Sequence, residues 1–545
     1  MSVSLSDAAA PASPDAAPLR PLLDARGLSK RYPNGVLACD DVSISVQRGE
    51  IHAVLGENGA GKTSLLKLLY GLERPDSGSL LFEGRPRDFR SPAEALAAGI
   101  GLVPQHLQLV PSLTVAENLV LGAEPQRGPL FDRAAAIQVA EHAMQRHALG
   151  VPVRSRVGEL SAGEQQRVAI LKALHRRARL LLLDEPTALL TPVEAEALFN
   201  SLRSLVREGL SILMISHKMA EVRDVSDRFT VLRAGRVAGQ GVSRGMSAPA
   251  LAALMMGREI EPLQAPRVDA RGRPARLALR ELTVLRASGR PALDRVTLDI
   301  AGGEILGIAG IEGNGQAELA DVLGGLRRPS HGALMLDGAP LAAGNPRAVR
   351  RQGLGRIGED RLHDGVAPGL SIADNLAALD YRAPPMSRRG LLDRPALLQR
   401  ARETLQDFGV VAPGAASPID GLSGGNMQKL VLARELAAQP RCLVANQPTR
   451  GVDVGAAQRL HRALLALRDA GAAVLLLSAD LDELLALSDR LVVLFEGRLV
   501  AHFAADAVSP RTLGLCMTGA LGRGPVNARL GAPFTPGLPP HGNPA

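Results

Sequence analysis

Tryptophan is absent from this 545-residue chain, and aromatic residues of every kind make up only 2% of it. A core with so few rings has to be built from Ala, Leu, Val and Ile. Single-stranded nucleic acid is held by stacking bases on aromatics set among basic residues, and no such cluster occurs, so no nucleic-acid partner is expected. Cysteine is almost as scarce. Cys39, Cys442 and Cys516 lie far apart and match no metal-ligand spacing, which suits a reducing cytosol. No run of about 18 apolar residues is present, so no membrane-spanning helix is expected. Residues 1–21 lack a basic start and an apolar stretch, with Asp7 and Asp15 interrupting them, and do not read as a secretory signal. Lysine is short too: six of the 63 basic residues are Lys and the rest are Arg. Against 55 acidic residues this leaves a net charge of +8. That balance reads as a bias towards Arg, and it is compatible with an anionic membrane surface nearby.

What is present is globular. Hydrophobic residues at 46% and charged residues at 22% exclude a disordered or fibrous chain. The length accommodates about three or four small domains or two large ones.

The chain is one unit written twice. QRGEIHAVLGENGAGKTSL (47–65) is echoed by AGGEILGIAGIEGNGQAEL (301–319), an offset of 254. LSAGEQQR (160–167) is echoed by LSGGNMQK (422–429), and LLLLDEPTALL (180–190) by CLVANQPTRGV (442–452), each at an offset of 262. The first copy is placed at 21–262 and the second at 276–520, joined by a Pro/Arg/Gly linker at 263–275. The tails 1–20 and 521–545, rich in Ala, Pro and Gly, are expected to be disordered. Within each copy short apolar runs alternate with helical patterns. Capping boxes are expected at Ser91 with Glu94, Thr114 with Glu117 and Ser161 with Glu164. Buried strands such as 180–184 and 211–216, set between helices, predict an α/β fold, each copy a mainly parallel sheet core with an antiparallel β part and a helical subdomain.

Three segments of the first copy carry chemistry. GENGAGKT (56–63) fits the phosphate-loop pattern, after a predicted strand and opening a helix. The backbone of Gly56, Glu57, Asn58, Gly59, Ala60 and Gly61 would curl around phosphate oxygens at a helix N-terminus. Lys62 would neutralise the β and γ phosphates, and the Thr63 hydroxyl, with Ser64 following, would ligate Mg²⁺. The apolar run 180–183 delivers two carboxylates: Asp184 to hold the Mg²⁺ and Glu185 to orient and deprotonate an attacking water. LSAGE (160–164) adds a capped helix start, with Gly163 allowing close backbone approach.

Phosphate loop, Gln105, LSAGE, DEPT and Ser216-His217, in this order, resemble the ATP-binding cassette of ABC transporters, and the resemblance covers both halves. It implies that Tyr32 stacks on adenine, that Gln105 senses Mg²⁺ and couples to a membrane partner, and that His217 contacts the γ-phosphate. The second half departs at nearly every catalytic position. Gln316 and Ala317 stand for Lys62 and Thr63, Glu359 for Gln105, Asn446 and Gln447 for Asp184 and Glu185, and Ala479 for His217. An amide is no general base, so this site is not expected to hydrolyse ATP. Yet LSGGN keeps both signature glycines where the first half has Ala162. In the family's head-to-tail pairing, Ser423, Gly424 and Gly425 would therefore complete the intact site.

Two fused cassettes with the second one degenerate resemble the ATPase subunit of bacterial sugar-type ABC importers. GNGQAEL, GEDR and QPTRGVDVGA are similar to that group's second half, although Gly358 stands where the group more often has Pro. The first-half stretch around Gln105 and His106, with Arg167 and Thr191-Pro192, looks closer to nucleoside importers than to ribose or galactose ones. The resemblance implies a peripheral ATPase on the cytoplasmic face of the membrane, using ATP and Mg²⁺. Its partners would be two transmembrane permease subunits and, indirectly, an extracytoplasmic solute-binding protein. A sugar importer is the alternative. A ribosome-associated twin-cassette ATPase is a third reading, disfavoured because such proteins keep both sites intact and join them by a long charged helix.

Overall fold

A computed structural model of the protein describes residues 21–33, 35–147, 149–188, 190–216, 218–257, 266–270, 272–311, 313–360, 364–422, 424–452 and 454–519. By its contacts the chain divides into two compact units, one of Met1–Leu190 with Glu194–Ile260, the other of Glu261–Ala545 with Thr191–Val193.

In the first unit the strands Ile51–Gly56, Leu180–Asp184 and Ser211–Ile215 are buried at every position. Strands buried on both faces need helices on both sides, which is the habit of parallel sheets. The pairing agrees, with Ser211–Ile215 running parallel to both of the others. The full order is Arg236–Val242, Arg228–Arg233, Ile51–Gly56, Ser211–Ile215, Leu180–Asp184, Ile100–Val103, and only the first of these is antiparallel to its neighbour. A second, antiparallel sheet has the order Leu37–Val46, Leu23–Arg31, Ser77–Phe82, Arg85–Arg87.

A helical part built on Val115–Val120, Arg133–His147 and Ala162–His175 completes the unit, packing Leu119, Ala140 and Val168 into one apolar cluster. Ala136, Ala140 and Ala143 make the buried face of helix Arg133–His147. The capping boxes at Thr114 and Ser161 are complete. The one at Ser91 is half made: Ser91 Oγ accepts from Glu94 N–H, while the Glu94 carboxylate accepts from the Arg90 N–H instead of the cap's own.

The second unit repeats this plan. Its sheets have the orders Leu354–Ile357, Cys442–Asn446, Ala473–Ser478, Glu304–Ala309, Arg490–Phe495, Arg498–Ala504 and Pro291–Ala301, Ala275–Leu285, His331–Leu336, Ala339–Pro340. Even the register survives: Leu23 faces Val46, and Leu277 faces Ile300, both 254 residues on. One addition is a fully buried Arg468, whose guanidinium pairs with the buried Asp489 at 3.3 Å. The Asp489 carboxylate also accepts the N–H groups of Val268 and Ile305.

All three cysteines are buried free thiols, and burial pushes Cys39 up to about 11 and Cys442 up to about 12. Thiols that resist ionisation are poor nucleophiles and poor metal ligands. Among the described residues no helix is long and apolar enough to cross a membrane.

Candidate nucleotide site

Strand Ile51–Gly56 runs into the glycine loop, and helix Lys62–Leu69 leaves it. Gly61 caps that helix at φ +101°, and a Cβ on it would strike the Ala38 carbonyl oxygen, so only glycine fits. The buried Lys62 folds back over the loop, donating from Nζ to the carbonyls of Gly56 at 2.7 Å and Glu57 at 3.0 Å. Burial pulls its pKa down, opposed by the charges of Glu185, Asp184 and Glu57. Thr63 Oγ1 donates to Asp184 Oδ2 at 3.4 Å. Burial and the adjacent Glu185 push the Asp184 carboxyl up, while Lys62 and the Thr63 hydrogen bond hold it down. Gln105 Nε2 reaches Glu185 Oε2 at 3.2 Å. Tyr32, at the start of the loop after strand Leu23–Arg31, donates its hydroxyl to Ser64 Oγ at 3.3 Å.

Lys62, Thr63, Asp184, Glu185, Gln105, Ser64 and Tyr32 thus converge at the ends of two neighbouring parallel strands and the loop between strand and helix. Gly424 and Gly425 open helix Gly424–Ala437 of the second unit. His217 and Ser423 lie outside the described residues.

Glu185 is held at φ +48°, a left-handed conformation that costs a residue with a Cβ on the order of 1–2 kcal/mol. Its N–H is tied to the Ile215 carbonyl at 3.1 Å, which fixes the kink at the strand end. Gln447 keeps the kink at φ +49° and the equivalent bond to Leu477, although its side chain has lost the acid.

One residue that motif reading passes over organises this turn. Glu221 accepts from Thr187 Oγ1 at 2.6 Å and from Ser216 Oγ at 2.9 Å, clamping the DEPT segment to the end of strand Ser211–Ile215. Its signal was in the repeat, because Glu483 stands 262 residues on and accepts from Ser478 Oγ at 2.7 Å.

At the corresponding positions of the second unit, side chains pair with one another or with the backbone. Arg286, in the Tyr32 position, donates to the Gly313 carbonyl at 2.7 Å and lies 3.6 Å from Glu318, which takes the Ser64 position. Arg450 pairs with Glu359. Gln316 is buried against Gly310, where a Cβ would collide with its amide. Gly358 has Asp364 pressed against it, with room for no Cβ (one placed there would lie 2.7 Å from the Asp364 Cβ), which accounts for glycine where proline is commoner.

One carboxylate beside one hydroxyl is a hard-oxygen donor pair. Mg²⁺ takes such sets when substrate phosphates complete its shell. Among the described residues no group of three or more His, Cys, Asp or Glu could hold a metal by itself.

A glycine loop with a folded-back lysine, over a parallel sheet ending in two carboxylates, defines a P-loop nucleotide-binding protein, here followed by a second unit of the same plan without the lysine and the carboxylates. Residues 39–188 and 293–450, more than half of the chain, match the ABC transporter family. The ribose import ATP-binding protein of Rubrobacter xylanophilus is 42% identical over 92% of this chain and 99% of its own. The nucleoside import ATP-binding protein of Lactococcus lactis is 38% identical over 90% and 97%, and the guanosine import ATP-binding protein of Bacillus subtilis 39% over 91% and 97%. The chain belongs to the ABC transporter family. A solved archaeal ribosome recycling factor covers 88% of this chain and 90% of its own with a TM-score of 0.59, but at 21% identity it shares the fold alone.

Proposed function

We propose that the chain is the ATP-hydrolysing subunit that energises a nucleoside importer. It would dock on two transmembrane permease subunits at the cytoplasmic face of the membrane, with an extracytoplasmic solute-binding protein delivering the solute. The observation that carries the reading is the placement of Glu185: held by Gln105, one residue from Asp184, and close enough to Lys62 for their charges to couple.

Lys62 neutralises the terminal phosphates of ATP, and the loop amides orient them. Glu185 holds the attacking water and takes its proton as the oxygen bonds to the γ-phosphorus and the bond from that phosphorus to the β–γ bridging oxygen breaks, ADP carrying the electron pair away. Gln105 keeps that carboxylate aimed. Thr63 and Asp184 would hold Mg²⁺, which when bound supplies charge neutralisation at the phosphates. His217 would bond the γ-phosphate, Tyr32 would stack on adenine, and Ser423, Gly424 and Gly425 would complete the site. The second cleft, without a lysine or an acid at the corresponding positions, contributes its signature and no hydrolysis.

Nucleosides are favoured by the nucleoside and guanosine importers among the relatives and by the stretch around Gln105, His106 and Thr191-Pro192. Ribose is the second reading, favoured by the 42% identical ribose import relative. Uptake of labelled nucleosides, pentoses and hexoses by a strain lacking this gene decides between them. Impaired nucleoside uptake with normal pentose and hexose uptake is the expected result. Normal nucleoside uptake with lost ribose uptake selects the sugar reading.

A further inference from the structure

The two units differ on the helix that follows the signature segment, around the residues equivalent to Gly163 and Glu194. In the first, Glu194 of helix Pro192–Arg207 lays its side chain over Gly163, so that a Cβ on the glycine would meet the Glu194 carboxylate oxygen at 2.8 Å. The equivalent residues, 262 further on, are Ala456 and Gly425. With the glutamate cut back to a methyl group, a groove of about 240 Å³ lies between helices Gly424–Ala437 and Val454–Asp469, and Gly425 and Ala456 both line it.

The charge changes in the same place. Arg459 and Arg462, both exposed, stand where the first unit has Ala197 and Asn200, and Lys429 adds a third cation to the lining, with Asp407 its one carboxylate among the described residues. Phe408 and Leu460 give the groove an apolar wall. Residues 456, 459, 460 and 463 are spaced to share one helix face, so Arg459 and the vacated space belong to one surface, with Arg462 one turn on from Arg459. One internal carboxylate has been removed and two guanidinium groups added around a half-apolar hollow.

We propose that this groove binds a small organic carboxylate with an apolar body. The anionic end meets Arg459, Arg462 and Lys429, replacing the charge that Glu194 supplies in the first unit, and the apolar part lies on Phe408 and Leu460. Guanidinium groups favour carboxylates because their paired N–H donors match the two oxygens. The volume is below the roughly 300–1,000 Å³ of sites for drug-sized molecules, so the ligand has few atoms.

The test uses the purified full-length chain and ligand-observed NMR titration with hexanoate and benzoate, with hexanol and hexylammonium as controls of matched apolar body. Saturable binding of the carboxylates is expected. It weakens about tenfold or more in Ala456→Glu, which restores the first unit's carboxylate, and likewise in the Arg459→Ala, Arg462→Asn double variant. The thermal midpoint stays at the parental value in both, and ATP turnover does so in the double variant, whose residues lie outside the nucleotide site. If Ala456→Glu fails to fold, the double variant decides alone, since it carries the first unit's own residues at exposed positions. Undiminished binding by a folded variant overturns the proposal. So do equal binding of hexanol or hexylammonium, and a parent that shows no saturation.

Discussion

Gln105 donates to Glu185 across 3.2 Å, so the carboxylate proposed as general base is tied to a residue of the loop that follows strand Ile100–Val103. Replacing the acid by its amide keeps the shape and removes the base. Glu185→Gln is expected to bind ATP as the parent does and to turn it over about 10²–10⁴-fold more slowly. Turnover within a few-fold of the parent, measured on purified protein with its permeases, would remove Glu185 from this role.

Asn446 is buried with its Oδ1 unpartnered among the described residues. The cause is visible in the other unit, where Asp184 receives a hydrogen bond from Thr63; the Thr63 counterpart is Ala317, which has no hydroxyl to offer. An unsatisfied buried acceptor costs about 1–3 kcal/mol. Ala317→Thr is therefore expected to stabilise the second unit by about 1 kcal/mol, read as a higher denaturant midpoint, without conferring hydrolysis there. A destabilised variant would mean that the hydroxyl cannot reach Asn446.

Both sheets, the glycine loops and the capped helix starts were legible because each is written in neighbouring residues: apolar runs such as 180–184, glycine where a Cβ would strike a carbonyl, Ser161 with Glu164. The contacts that escaped sequence reading join distant positions. Glu221 clamps Thr187 from 34 residues away, Arg450 meets Glu359 across 91, and Arg286 reaches Gly313 across 27. No local pattern announces such pairs. The replacement of Lys62 by Gln316 said that the second site had lost its chemistry; that Arg286 and Arg450 form ion pairs there followed only from the structure.

His502, half-buried on strand Arg498–Ala504, has its pKa lowered to about 4 from the ordinary 6.5 by burial and by the charge of Arg490. The unfolded chain therefore takes up the proton first as pH falls. The stability this neutral histidine contributes is present in full above about pH 6.5 and is lost as pH falls towards 4. The thermal midpoint is expected to drop between pH 7.5 and pH 5 by less in His502→Gln than in the parent. Parallel curves for the two proteins would show that His502 does not titrate in this window.

Gly424 and Ala162 are the first residues of equivalent helices, Gly424–Ala437 and Ala162–His175, and both are half-buried. A carboxylate is welcome at the first turn of a helix, so an Asp at either place puts little strain on the fold. Their functional consequences should differ. If Ser423, Gly424 and Gly425 complete the site of Lys62 and Glu185, an Asp at 424 sets a negative charge against the γ-phosphate. Like charges at about 4 Å repel by about 4 kcal/mol at an effective dielectric of 20, equivalent to roughly a thousandfold loss. Gly424→Asp is thus expected to lose most ATP turnover, while Ala162→Asp, which would face a cleft with Gln316 and Gln447 in place of Lys62 and Glu185, keeps most of it. Turnover of both purified variants with their permeases, normalised to folded protein, is the measurement. A dead Ala162→Asp beside a normal Gly424→Asp would assign hydrolysis to the other signature.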